Sequence, residues 1–189
     1  MGNNPVSEKQ SIKAVFLDRD GVLNNAVIRD GKPYPPAGLA EVSINPGVEA
    51  GLSILHNLGY LLIVITNQPD VSRGRITLES VEAINKFLQK NLPLDKIMVC
   101  YHDNHDKCDC RKPKPGLLLE AAAEFNIDLE KSFMIGDRWS DVEAGKRAGC
   151  KTIYIDSGYV EKKPDLPDFN VYSFTEAAEI IKKIDENII

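Results

Sequence analysis

Long apolar runs are missing from this 189-residue chain, and no stretch approaches the ~20 consecutive apolar residues that span a bilayer. Met1–Gln10 is polar and lacks the apolar region of a secretory signal, so a cytoplasmic protein with no membrane partner is expected. An excess of positive charge is missing too: 23 Lys and Arg stand against 28 Asp and Glu, a formal net charge of −5. With no stripe of clustered cations, that balance opposes binding to the phosphates of nucleic acid. Cysteine is scarce, four in all, and three of the four lie between positions 100 and 110 beside His102. Without an export signal, that crowding points to a metal rather than to disulfides. Internal repeats and low-complexity tracts are absent as well.

What is present is an ordinary globular composition, 43% hydrophobic and 27% charged, enough for one core. A polar extension over residues 1–12 and a single domain over 13–189 are expected. Apolar β-rich runs recur at Ala14–Leu17, Leu61–Thr66, Ile97–Tyr101, Phe133–Ile135 and Thr152–Ile155. Between them, helical periodicity covers Gly47–Leu58, Leu78–Asn91, Pro115–Phe125, Trp139–Ala148 and Thr175–Ile184, with Thr77 a candidate N-cap. The alternation predicts an α/β fold with a parallel sheet and crossover helices. Val27–Asn45, rich in proline and without strong periodicity, is expected to cover or border a site, and Gly158–Pro167 is a second irregular stretch. In such sheets ligands bind beyond the carboxyl ends of the strands.

Chemistry-bearing groups fall at those ends. Asp18-Arg19-Asp20-Gly21 follows the first strand, and the glycine permits a sharp turn that lets both carboxylates face one pocket. One carboxylate can hold Mg²⁺ and attack phosphorus while the other moves protons; the bland reading is an Asp-rich turn. Thr66-Asn67-Gln68 offers a hydroxyl and two amides suited to phosphoryl oxygens, although a threonine after a buried strand is often a local cap. Arg111-Lys112-Pro113-Lys114 aims cations from a stiff turn, the alternative being a solvated basic loop. Gly136-Asp137-Arg138 ends a third strand and brings another carboxylate, completing the oxygen-rich set that Mg²⁺ prefers. Asp141 either orients that loop or favours the start of the next helix.

Cys100-x-His102-x5-Cys108-x-Cys110 supplies three thiolates and an imidazole, the donor set of structural Zn²⁺. A closed four-ligand site leaves no position for activating water, so it organises the loop that carries Arg111 and Lys112. His105 would need a different loop path, His56 reads as a surface helix residue, and Cys150 as a buried small hydrophobe.

The order Asp18-x-Asp20, Thr66, Lys112, Asp137 resembles the four motifs of the haloacid dehalogenase superfamily of Mg²⁺-dependent phosphatases, over roughly Ala14 to Ile155. The zinc loop joined to Cys110-Arg111-Lys112-Pro113 is similar to the subfamily of heptose-bisphosphate and histidinol-phosphate phosphatases. That resemblance implies a three-layer Rossmann-like fold with a zinc-bound loop and no large cap domain. It implies Asp18 as nucleophile, Asp20 as acid and base, and Mg²⁺ on Asp18, the Asp20 carbonyl and Asp137. It further implies Thr66 and Lys112 on the phosphoryl group, with Arg19, Asn67, Gln68, Arg111 and Arg138 at the substrate. The expected substrate is a small phosphorylated sugar, the 7-phosphate of a heptose bisphosphate, with histidinol phosphate as the nearest alternative. Histidinol phosphate would want an acidic group such as Asp70 or Asp103 for its amine. The expected chain is a monomer. From another class, a zinc-organised binding module without catalysis is the competing expectation.

Overall fold

The computed structural model describes residues 12–188. Strands β1 (Ala14–Leu17), β4 (Leu61–Asn67), β5 (Lys96–Cys100), β6 (Phe133–Gly136), β7 (Lys151–Ile155) and β8 (Phe169–Val171) form one six-stranded sheet, ordered β5-β4-β1-β6-β7-β8. All of its pairings are parallel. Strands β2 (Val27–Arg29) and β3 (Lys32–Tyr34) pair separately as an antiparallel hairpin. The Val27–Asn45 segment therefore holds a hairpin where the sequence showed only irregularity.

The first strand reads as an unbroken buried run, Ala-Val-Phe-Leu, because both faces of a parallel sheet are covered. Alternation of side chains then divides it: Val15 and Leu17 join one apolar cluster, Ala14 and Phe16 the other. On the first face lie α1 (Val48–Asn57), α3 (Leu78–Asn91) and α6 (Phe174–Asp185); on the second lie α4 (Gly116–Phe125) and α5 (Trp139–Ala148). Each helix presents an apolar stripe, as Val48, Leu52 and Leu55 do on α1. This is the expected three-layer arrangement.

The strand and helix expectations fall within about two residues of the observed elements, the usual uncertainty of such ends. Thr77 caps α3, its hydroxyl accepting from the Ser80 amide at 3.2 Å. Besides the hairpin and the short 3-10 turns, the single-turn α2 (Pro69–Ser72) and the short edge strand β8 were not foreseen. Of the polar extension, residues 1–11 lie outside the described residues. Ile12 itself bridges to Ile127, and its carbonyl accepts from Asp128 at 2.8 Å. No helix among the described residues is long and apolar enough to cross a membrane.

Strand order places the site. From β1 the chain reaches β4 on one side and later β6 on the other, so the carboxyl end of β1 is a topological switch point.

Candidate active site

Asp18 follows β1 directly, and its amide still donates to the Ile135 carbonyl of β6 at 3.0 Å, so the ladder carries it to the rim. The chain then doubles back: the Leu23 and Asn24 amides both donate to the Arg19 carbonyl, at 2.9 and 3.1 Å. Gly21 sits in this turn at φ +96°, and a Cβ there would lie 1.8 Å from Asp137 Oδ2. The glycine meets two demands at once, a left-handed backbone and room for a carboxylate.

Lys112 is buried in the centre of the site. Its ammonium donates to Asp18 Oδ1, to the Ile65 carbonyl and to Asp141 Oδ1, each at 2.7 Å. Those three acceptors use all three of its N–H groups. Burial works against the lysine's charge, but Asp141 and Asp18 outweigh it and raise its pKa. The backbone beneath is clamped by Asn67, whose amide donates to the Lys112 carbonyl at 3.0 Å and accepts from the Lys112 N–H at 3.1 Å.

Asp18, Asp137 and Asp141 are all buried and bring carboxylate oxygens within 4.8 Å of one another. Two of these groups are partly or wholly engaged. Asp141 gives Oδ1 to Lys112 and Oδ2 to the Arg138 amide, 3.0 Å away, so it both orients the loop and closes the start of α5. Gly136 makes this approach possible, since a Cβ there would fall 2.1 Å from that of Asp141. Asp137 differs: the Tyr159 hydroxyl approaches it, yet neither of its oxygens has a hydrogen-bond partner of proper geometry. Burial first, and repulsion from Asp18 and Asp141 next, push the Asp137 pKa well up. Asp18 is raised to about 6 by burial, against the pull of Lys112 and with a further push from Asp141.

Three buried carboxylates with one ammonium among them leave an excess of negative charge, costly in a low-dielectric site. A divalent cation removes that cost, and the oxygen donors of Asp18 and Asp137 fit Mg²⁺.

Asp20 lines the inner pocket with Asp18, Thr66, Asn67, Lys112 and Arg138, a space of about 60 Å³ roofed by Pro33, Tyr34 and Pro35 of the hairpin. The expectation that Val27–Asn45 borders the site is met by these three residues. Thr66 Oγ1 accepts from Gln68 Nε2 at 2.9 Å.

Two expected substrate residues are corrected. Arg19 is fully buried and its guanidinium bonds Asp20 and Asn85, so its side chain runs beneath the site instead of into it. Gln68 is likewise buried, donating to Asp20 Oδ2 at 2.7 Å, and supports Asp20 and Thr66 from behind. Asn67, Arg111 and Arg138 do face the outer pocket of about 520 Å³, along with Arg73 and Arg75. Arg138 is held there by Glu161, at 3.0 Å from Nε, and Arg111 by Asn104 at 2.9 Å. Glu161 and the two extra arginines were not foreseen as pocket residues, because their positions depend on loops with no periodic pattern.

The Cys100, His102, Cys108 and Cys110 ligand atoms also lie within 4.8 Å of one another. Sulfur to sulfur, Cys100 is 3.0 Å from Cys110 and 3.8 Å from Cys108; His102 Nδ1 is 3.2 Å from Cys110. Four soft donors around one point fit a tetrahedral Zn²⁺. His105 is exposed on the adjoining 3-10 turn and outside this group, His56 is exposed on α1, and Cys150 is buried, its pKa pushed up to about 12 by burial.

With this geometry in view, the relatives are informative. A family profile described as HAD-hydrolase-like matches residues 109–181. A D-glycero-beta-D-manno-heptose-1,7-bisphosphate 7-phosphatase of Helicobacter pylori is 42% identical over 145 residues, 74% of this chain and 80% of that protein. The chain belongs to the haloacid dehalogenase-like phosphatases. A relative of the same name from Haemophilus influenzae is 31% identical over 186 residues, 91% of this chain and 98% of its own length. The crystal structure of a D,D-heptose 1,7-bisphosphate phosphatase from B. bronchiseptica, complexed with magnesium and phosphate, superposes with a TM-score of 0.75 at 25% identity. It covers 92% of this chain and 99% of its own. The phosphatase is therefore an enzyme, and the expectation of a non-catalytic binding module is set aside.

Two outcomes follow from the charges and thiols of the site. A carboxyl whose folded pKa lies above its unfolded one withdraws stability as pH rises from the ordinary carboxylate range towards about 6, the Asp18 value. A cation on the same oxygens reverses this, so the rise in melting temperature on adding Mg²⁺ grows between about pH 4.5 and about pH 7.5. A rise independent of pH would place the cation elsewhere. Metal analysis is expected to give one zinc per chain, and Cys108→Ser to lower both zinc content and melting temperature. An unaltered, zinc-free parent protein would refute the closed site.

Proposed function

We propose that this phosphatase hydrolyses the 7-phosphate of D-glycero-D-manno-heptose 1,7-bisphosphate through an aspartyl-phosphate on Asp18, with Asp20 moving the protons. The observation that carries the reading is the unpartnered Asp137 carboxylate beside Asp18, both buried at the switch point around Lys112. Asp18, Asp137 and the Asp20 backbone carbonyl would hold Mg²⁺. When bound, that ion supplies the positive charge that lets the anionic nucleophile and the anionic phosphoryl group approach each other.

Asp18 attacks phosphorus in line, forming the new P–O bond as the bond to the sugar oxygen breaks. Asp20 gives its proton to the departing oxygen, the oxygen that carries it first leaving one of the four N–H donors that hold the carboxylate in the resting site. Water then attacks the same phosphorus, Asp20 takes back a proton, and inorganic phosphate leaves with Asp18 restored. Thr66 bonds the phosphoryl oxygens during both displacements, and Lys112 passes to them the N–H that it gives Asp18 in the resting site, while its bond to Asp141 stays.

Substrate choice rests on the outer pocket. Arg73, Arg75, Arg111 and Arg138 gather there, suited to a second phosphate on the same sugar. The carboxylates that an amine would need are occupied, Asp70 by Arg73 and Arg75 and Asp103 by Arg73. This favours the bisphosphate over histidinol phosphate, in keeping with the activity for which the relatives from Helicobacter pylori and Haemophilus influenzae are named.

Asp18→Asn is expected to abolish turnover while leaving the melting profile cooperative, since it removes the attacking charge with little change of shape. Full activity in that variant would sink the nucleophile assignment. In a panel of both heptose 1,7-bisphosphate anomers, heptose 7-phosphate and histidinol phosphate, the bisphosphate is expected to show the highest kcat/KM, with the carbon-1 phosphate retained in the product. Faster release from histidinol phosphate would overturn the substrate.

A further inference from the structure

Helix α3 carries a polar residue in the middle of its apolar stripe. Val81, Ile84 and Leu88 are buried at helical spacing, and Asn85 is buried with them, at the position where a hydrophobe is expected. An amide buried among apolar side chains is unfavourable unless it is bonded. Asn85 Oδ1 accepts from Arg19 Nη1 at 2.9 Å. Arg19 is itself fully buried, and the other edge of its guanidinium forms a two-pronged fork on Asp20: Nε to Oδ1 at 3.1 Å and Nη2 to Oδ2 at 2.9 Å. Asn24 Nδ2 and Gln68 Nε2 close on the same carboxylate from the sides, at 3.0 and 2.7 Å.

Asp20 is thus held by four donors while remaining on the wall of the inner pocket. The fork sets the plane of the carboxylate, because two parallel N–H···O bonds allow one relative orientation of the two planar groups. The far end of the fork is anchored by Asn85, which accepts from Nη1. Neither Asn85 nor Arg19 lines the pocket.

We propose that Asn85 is a positioning residue for Asp20, acting through Arg19 to aim the carboxylate at the leaving oxygen. This rests on the reading of Asp20 as the acid and base. Removing the far anchor frees one end of the guanidinium and leaves Asn24 and Gln68 to hold the carboxylate, and a small misplacement of a reacting group is costly to rate.

The test exploits the fact that a well-placed acid matters most when the leaving oxygen is basic. On an unactivated alkyl phosphate, Asn85→Ala in the Mg²⁺-loaded protein is expected to lower kcat/KM by about ten- to a hundredfold, and on para-nitrophenyl phosphate by about threefold or less. Asn85→Asp keeps an acceptor oxygen in place and is expected to restore the ratio between the two esters. A merely structural role lowers the melting temperature and reduces both esters by the same factor, and that result in a folded variant overturns the proposal. Should Asn85→Ala fail to fold, Asn85→Ser, which shortens the side chain but keeps a polar group, is measured on the same two esters. Asp20→Asn calibrates the assay. Equal losses there overturn the acid assignment, and the proposal with it; selective loss there but not at position 85 overturns the positioning role alone.

Discussion

A buried ammonium among buried carboxylates is the constraint on which this molecule depends. Lys112 touches Asp18 and Asp141 at 2.7 Å, and the Ile65 carbonyl takes its third N–H at the same distance. Charges this deep are tolerated only with good geometry and full hydrogen bonding, and removing one partner leaves the others uncompensated. Three separate chain segments must therefore arrive together: the end of β1, the Arg111–Pro115 turn and the start of α5. Asp137 is the group this arrangement does not satisfy. Its two oxygens lack a well-formed hydrogen bond, which fits the cation proposed above better than a finished salt-bridge network.

The cysteine loop matters because it fixes one of those three arrivals. Cys100 ends β5 and Cys110 lies two residues before Lys112, so whatever holds the four soft donors together also sets the start of the lysine turn. Two further links tie that loop to the sheet. The Gln68 amide donates to the Cys100 carbonyl at 2.7 Å, and Asn67 clamps the Lys112 backbone from both sides.

Charge is managed differently at the mouth. Three of the four arginines there, Arg73, Arg75 and Arg138, carry carboxylate partners, Asp70, Asp103 and Glu161, with side chains partly open to solvent. An anionic ligand can compete with these carboxylates for the guanidinium groups, most readily at the Arg73–Asp103 pair, whose carboxylate is the most open of the three. The Arg73–Asp103 pair pushes the Asp103 carboxyl far below the usual carboxylate range, chiefly through their hydrogen bond. Held as an anion beside arginine, Asp103 serves Arg73 and is poorly placed to receive a substrate amine.

Much of this was legible in the residues alone. Local order fixed the strands and helices, because hydrophobic period and buried runs are properties of neighbours in sequence, and the charged groups at strand ends followed from them. The metal-ligand spacing around Cys100–Cys110 was legible for the same reason. Side-chain direction was not. Arg19 and Gln68 were expected at the substrate, yet packing turned both behind Asp20, and Asn85 drew no expectation because its partner Arg19 lies far away in sequence. The hairpin of β2 and β3 hid among prolines, since two three-residue strands give no usable period. By itself the sequence determined which groups stand at the rim of the sheet. Only the tertiary structure decided which of them meet, because hydrogen bonds and ion pairs between distant segments depend on strand order and on the few ångströms that folding allows each charge.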